Sequence, residues 1–512
     1  MKVLFCMLHS GFTFYYESTI RGLAEDGHAV HVAYSKWVES EQLERLAAAF
    51  PGRVTHQRLP KRKGDSWVAP LAELRSYRDY LRYFDPRYAR ATYLRRRVEE
   101  TMPPWVVALV RGYHRHGAVP RVVAALEEVE RATPALPSIV TFIREQAPDV
   151  VLVTPLVNIG SDQVDIVRAA RSLGVPTALC VASWDNLTNK GVMRIVPDRV
   201  FVWNEAQRGE ATDLHGVPAG RVVVTGAQNF DHWFDWRPST SRDEFCLRYD
   251  LDPARPILLF LGSTQGIAAA EPEFVSGWIR AIRGSGLPGL ADVNVLVRPH
   301  PKQADRWQSA AGTFPAGPGV ALALGDAPVN ADSRSAFFDA LYHSRAVVGV
   351  NTSALIEAGI VGRPVYTLLA PEFAETQEGT LHFHHLVQSE GRLLTQANTL
   401  AEHLVQLSDA ATTPMPDALG RRFVETFVRP HGLTEAATPR LVAGILAAAG
   451  LTPDPLPAPS AAAARFLAAY AARRQDGPIE AADLRALRHR AVRATPAPSS
   501  GPSGPSPSAR HD

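Results

Sequence analysis

Short apolar runs, each followed by small or polar residues and then by helical spacing, recur along most of the chain. Lys2–Leu8 (KVLFCML) leads into His9-Ser10-Gly11, Thr19–Asp26 has a helical period ending at Gly27, and Ala29–Tyr34 (AVHVAY) is apolar again. Continuous apolar runs of this length mark strands buried on both faces, and the strand–helix–strand order predicts a parallel sheet. The rhythm returns at Asp149–Thr154, Pro176–Val181, Arg199–Trp203 and Arg221–Thr225, with a helix predicted over Asp162–Leu173. After a polar linker, Trp236–Arg242, a second series runs through Pro256–Leu261, Asn294–Arg298, Ala346–Val350 and Val365–Leu368. Two such series predict two Rossmann-like α/β domains, 1–235 and 240–430, facing each other across a cleft. Ligands of open parallel sheets sit at the carboxyl ends of the strands, so the loops there are where chemistry is sought.

Two stretches break the rhythm. Residues 61–98 hold eleven Lys or Arg interleaved with Tyr77, Tyr80, Tyr83, Phe84, Tyr88 and Tyr93, and the helical pattern continues to about 147. This predicts a helical insertion over 64–147 in the first domain. A charge run of this kind is most often a solvated helical face; the other reading is contact with an anionic membrane or a charged glycan. From 453 to 512 the chain is rich in Pro, Ala and Ser, with an Ala-rich helical stretch inside it, and the segment is expected to be largely disordered. Residues 431–450 read as a closing helix.

At 512 residues the chain is too long for a single core, in keeping with two domains. A formal net charge of +2 argues against a nucleic-acid binder. Cys6, Cys180 and Cys246 are far apart and odd in number, which excludes a disulfide framework and fits a reducing compartment. No apolar stretch reaches the length of a membrane span, and Met1–Leu8 reads as a buried first strand rather than a secretory signal. The expected location is the cytoplasm, with the inner membrane face as the surface the basic run would meet.

Several strand-end loops carry candidate chemistry. Asn351-Thr352-Ser353 precedes a helical run, where free N–H groups and the helix dipole suit a diphosphate, and Glu357 one turn on could accept ribose hydroxyls. The same residues would serve an ordinary helix cap. In Arg298-Pro299-His300-Pro301 two prolines fix the loop and hold a cation and an imidazole at the strand end. Gly262-Ser263-Thr264 would let a nucleotide approach the backbone closely. On the first domain, His9 is a candidate general base in the His9-Ser10-Gly11 turn, and Asp185 is a second. Ser10, Gly11, Trp184 and Asn186 complete a candidate acceptor surface, although Asp and Asn here are also good turn residues. The cluster Thr376–His385 has no zinc-like spacing and is expected to bring Gln377–His384 to the donor side of the cleft.

The runs "VRPHPK", "VVGVNTSALIEAGIVGRPVYTLL" and "TQEGTLHFHHL" resemble the C-terminal domain of GT-B transferases of bacterial surface polysaccharides. Capsule-polysaccharide transferases and CDP-glycerol glycerophosphotransferases are the families meant, with UDP-N-acetylglucosamine 2-epimerases more distant. "RGLAEDGHAVHVAYS" is similar to the first crossover of nucleotide-sugar transferases, and Arg421–Ala449 resembles the helices that bind GT-B domains together. The resemblance implies donor-phosphate contacts from Arg298 and His300, diphosphate contacts from Asn351, Thr352 and Ser353, and ribose contacts from Glu357. The second catalytic His of the glycerophosphotransferases has no counterpart, which leaves the base open.

The expectation is a metal-independent transferase with no cofactor. It would move a sugar or polyol phosphate from a nucleotide-sugar or CDP-polyol donor to a glycan or lipid-linked hydroxyl. The alternatives are an epimerase or hydrolase of the nucleotide sugar, and a non-catalytic GT-B scaffold.

Overall fold

The computed structural model describes every residue except 62–64, 311, 313, 315–317, 415–419 and 494–512. The first sheet contains β1 (Lys2–His9), β2 (Ala29–Lys36), β3 (Val54–Arg58), β4 (Val150–Thr154), β5 (Thr177–Cys180), β6 (Arg199–Val202) and β7 (Val222–Val224). The second contains β8 (Ile257–Leu261), β9 (Asn294–Arg298), β10 (Val320–Leu322), β11 (Ala346–Gly349), β12 (Val365–Leu368) and β13 (Leu394–Ala397). Strand orders are β3-β2-β1-β4-β5-β6-β7 and β10-β9-β8-β11-β12-β13, parallel throughout the described pairings. The order reverses between β1 and β4 in one sheet and between β8 and β11 in the other. These are the two crevices in which such sheets take ligands.

The central strands are where the apolar runs placed them, because both of their faces are covered. Val3–Met7 of β1 and all of β8 are buried, each such side chain stabilising the fold by about 1.5–3 kcal/mol. Phe5 pairs in register with Val32 and Leu152, and Phe260 with Val297 and Val348. After the second sheet the chain crosses back. Helix Ala437–Ala449 lays Leu441, Val442 and Ile445 on the core of the first sheet. Asp231 holds the start of that helix, accepting from the amides of Ala437 and Thr438 and from Arg429.

Helices between Val68 and Gln146 form the insertion, and its basic run is a solvated face only in part: Arg87, Arg90, Arg95 and Arg96 are exposed, whereas Arg75 and Arg82 are not. Arg75 is buried between Glu130 and Asp165 at 2.9 and 2.7 Å, Arg168 reaches Glu130, and Arg194 pairs with Asp79. Arg82 is buried as well, donating to the carbonyls of Leu187, Lys190 and Gly191, while Tyr80, Tyr83 and Tyr88 pack into a local core. A buried ion network that loses one member costs about 3–5 kcal/mol, so these arginines fasten the insertion to the first domain. Arg95 also lines an open surface groove with Arg111, His114 and Arg115. Lys61 is exposed beside 62–64, which lie outside the described residues.

The expectation of a largely disordered tail needs correction. Helices Ala461–Gln475 and Ala481–Arg493 fold against the insertion, with Leu467, Tyr470, Ile479 and Leu487 buried alongside Leu71, Leu74 and Val129. Composition averaged over the segment hid Leu467 and Tyr470, three residues apart on one helix, and the apolar Ile479 and Leu487; 494–512 lie outside the described residues. Leu467→Ala should therefore lower stability by about 2–5 kcal/mol in denaturant unfolding, as for any core leucine. An unchanged midpoint would mean that the helix is not docked.

Candidate functional site

A cleft of about 570 Å³ opens between the sheets at the two crevices, within the 300–1,000 Å³ range usual for small-molecule sites. His9, Gly11, Phe12, Tyr15 and Trp184 line it from the first domain; Gly262, Thr264, Arg298, His300, Thr352, Ser353 and Glu357 line it from the second. Phe14, Trp203, Phe230 and Phe337 add aromatic wall. Most of the motif residues thus meet across one space.

On the second domain, Gly262 permits a very close approach of two strand-end loops. A Cβ there would lie 2.9 Å from the His300 amide and 3.0 Å from Pro299 Cα. Arg298 ends β9 as a buried guanidinium, 5.1 Å from the Phe337 ring centroid and donating at 3.4 Å to the Asp326 carbonyl. Burial, against the pull of Tyr249, Glu357 and Asp326, draws it below its usual range. His300 accepts the Lys302 amide on Nδ1 at 3.2 Å, and burial followed by Lys302 lowers its imidazole. Glu357 accepts from the Trp233 indole at 3.1 Å, and its burial pushes it up to about 7.

Beneath the Gly262 loop lies a group that strand-end reading overlooked. Glu271, buried, accepts the Ser263 amide at 2.9–3.0 Å, and its burial pushes it up to about 8. Its signal in the sequence was one of two acids, Glu271 and Glu273, in the first turn of a helix, indistinguishable from ordinary first-turn carboxylates. Lys302, which ends the VRPHPK run, lines the cleft too.

On the first domain, His9 ends β1 half-buried, its ring 4.5 Å from that of Phe12. Its Nδ1 is buried against Gly11, with no hydrogen-bond partner among the described residues. Burial, then Lys302 and Lys36, lower its imidazole, so it is neutral at physiological pH and able to accept a proton.

Other expected site residues are turned inward. Ser10 donates to the Val38 carbonyl and accepts its amide, fixing the loop after β2. Ser263 accepts from the Asn351 amide, and Asn351 donates to the Thr376 carbonyl at 2.7 Å. Asn186 accepts the Ala182 amide. Asp185 does not line the cleft: it accepts from Asn189 at 2.8 Å. Burial opposes its charge, but Lys190, His382 and its hydrogen bonds win and hold it below the usual carboxylate range. A carboxylate held in that way is a poor base. Gln377, expected on the donor side, is buried and donates to the carbonyls of Val350 and Leu368. His382, His384 and His385 go to Trp184, the Glu378 carbonyl and Glu210, three separate partners. The helix after Ser353 spans only Ala354–Ile360, so Arg298 rather than a long helix dipole supplies the positive charge.

No protein-family model and no curated protein matches the chain. Among solved structures, a putative UDP-N-acetylglucosamine 2-epimerase from Listeria monocytogenes aligns with a TM-score of 0.50 at 13% identity, over 89% of this chain and 98% of that one. The fold is GT-B. The UDP-GlcNAc 2-epimerase of Methanocaldococcus jannaschii is also similar (TM-score 0.49, 11% identity, covering 87% and 99%). So is a glycosyltransferase from Rickettsia africae (TM-score 0.49, 10% identity, covering 87% and 98%). At these identities the likeness concerns the fold alone. Among the described residues, no helix is long and apolar enough to cross a membrane.

Proposed function

We propose that this GT-B chain transfers a sugar, or a related polyol phosphate, from a nucleotide-activated donor to a hydroxyl in surface-glycan synthesis. The observation that carries the reading is the pairing of a buried cation, Arg298, with a base-competent imidazole, His9, across one cleft from opposite domains. In this reading the acceptor hydroxyl gives its proton to His9 Nε2 while its oxygen bonds to the transferred centre. The bond from that centre to the donor phosphate breaks, and its electron pair leaves on the nucleotide. Arg298, Thr352 and Ser353 stabilise the charge that develops there, as fixed donors do in a site screened from water. Trp184 and Phe12 form the acceptor wall. The test is product analysis with labelled nucleotide sugars and CDP-polyols, with and without hydroxyl acceptors. Transfer that needs an acceptor supports the reading.

A second reading of the same cleft is epimerisation or hydrolysis of the nucleotide sugar, and Glu357 favours it. A buried carboxyl titrating near 7 can give and take a proton at neutral pH. Conversion of the donor in the absence of any acceptor would select this reading and sink the first.

A further inference from the structure

Resting on the donor-site reading of the cleft, we propose that Lys302 is a second anion clamp, whose charge bears on His9 until a bound diphosphate neutralises it. Lys302 belongs to the loop after β9 and His9 to the end of β1, yet both line the same cleft. The Lys302 amide donates to His300 Nδ1, and Pro301 rigidifies the step between them, so Arg298, His300 and Lys302 stand at alternate positions of one stiffened loop. Arg298 is buried at one end and Lys302 exposed at the other. Among the described residues no carboxylate forms an ion pair with Lys302 within 4 Å, whereas a donor diphosphate has charge on two phosphates to place. One buried cation and one exposed cation on a fixed loop match that demand.

The consequence concerns the base. His9 is faced by Lys302 from the second domain, by Lys36 from the end of β2, and by Phe12 and Gly11 from its own turn; Glu39 lines the cleft nearby. Cations disfavour its protonation. A diphosphate on Lys302 cancels one of them and adds negative charge close by, so His9 holds a proton more readily once the donor is in place. Arrival of the donor would thereby strengthen the base at the step that needs it. By reciprocity, protonated His9 tightens the anion.

The test uses the full chain with histidine labelled at Cε1, the His9 signal being identified by its absence in His9→Gln, and inorganic pyrophosphate as probe. In wild type, pyrophosphate should raise the titration midpoint of His9. Lys302→Gln, an exposed change, should raise that midpoint in the free protein, weaken pyrophosphate by roughly tenfold, and abolish most of the further rise on binding. An unchanged His9 midpoint in free Lys302→Gln would overturn the proposal. So would a pyrophosphate-induced rise equal in the two proteins, or pyrophosphate affinity that ignores the substitution; all three leave the Arg298 site standing. Failure of pyrophosphate and of every nucleoside diphosphate to bind wild type would overturn the donor-site reading along with it.

Discussion

Replacing His9 with glutamine is expected to slow acceptor-dependent transfer by about a hundred- to ten-thousandfold, the usual contribution of a general base. Glutamine keeps the size and some hydrogen bonding, so donor binding through Arg298 should survive. The pH profile provides the sharper readout. Burial, Lys302 and Lys36 all lower the His9 imidazole, so in wild type it stays a free base to pH values below the ordinary histidine range. The kcat/KM for donor, which reports the free protein, should therefore fall only when pH drops through that lowered midpoint, and the acid limb should disappear in the variant. An equal acid limb in His9→Gln would assign the base elsewhere.

Glu271→Gln should give the largest pH-dependent change in stability. The carboxyl titrates near 8 in the fold against an ordinary 4.5, because burial disfavours its charge. The folded state thus holds a proton that the unfolded state has released between those values. Its contribution is complete below pH 4.5 and is lost as pH rises through 8, about 5 kcal/mol in all. The amide of glutamine can still accept from Ser263 and never has to ionise. Unfolding free energies measured from pH 5 to 8 should show the variant gaining on wild type by about 1.4 kcal/mol per pH unit. Parallel curves would mean that Glu271 is ionised in the fold without penalty. Buried histidines act with the opposite sign: His215 and His232 lie near 3 and His382 near 4, so their contribution grows as pH rises toward 6.5 and then levels off.

What could be read in the sequence follows from burial. Strands covered on both faces, such as β1, β8 and β9, spell continuous apolar runs and were located to within a residue or so. The strands without such a signal, β3, β10 and β13, are all sheet edges with half-exposed residues: VTHQR, VAL and LTQA. An edge strand has only one neighbour and needs no unbroken apolar run. Arg298 and His300 could be located because their prolines mark a rigid strand-end loop. Ser10, Ser263 and Asn351 have the composition of a binding turn, yet their side chains satisfy the backbone of neighbouring loops, which only three-dimensional placement reveals. The basic run was legible only in part for a related reason: composition counts charges, whereas Arg75 and Arg82 meet partners from segments more than fifty residues away.

The central claim is that the cleft binds a nucleotide-activated donor through Arg298. It is tested most directly by thermal and calorimetric titration of UDP, CDP, GDP, TDP and CMP into wild type and Arg298→Ala. At about 100 times its dissociation constant, a ligand of the folded state adds about 2.7 kcal/mol of stability. The account predicts that at least one nucleoside diphosphate stabilises wild type and that Arg298→Ala loses the effect. Binding by none of them, or equal binding by the variant, would contradict it.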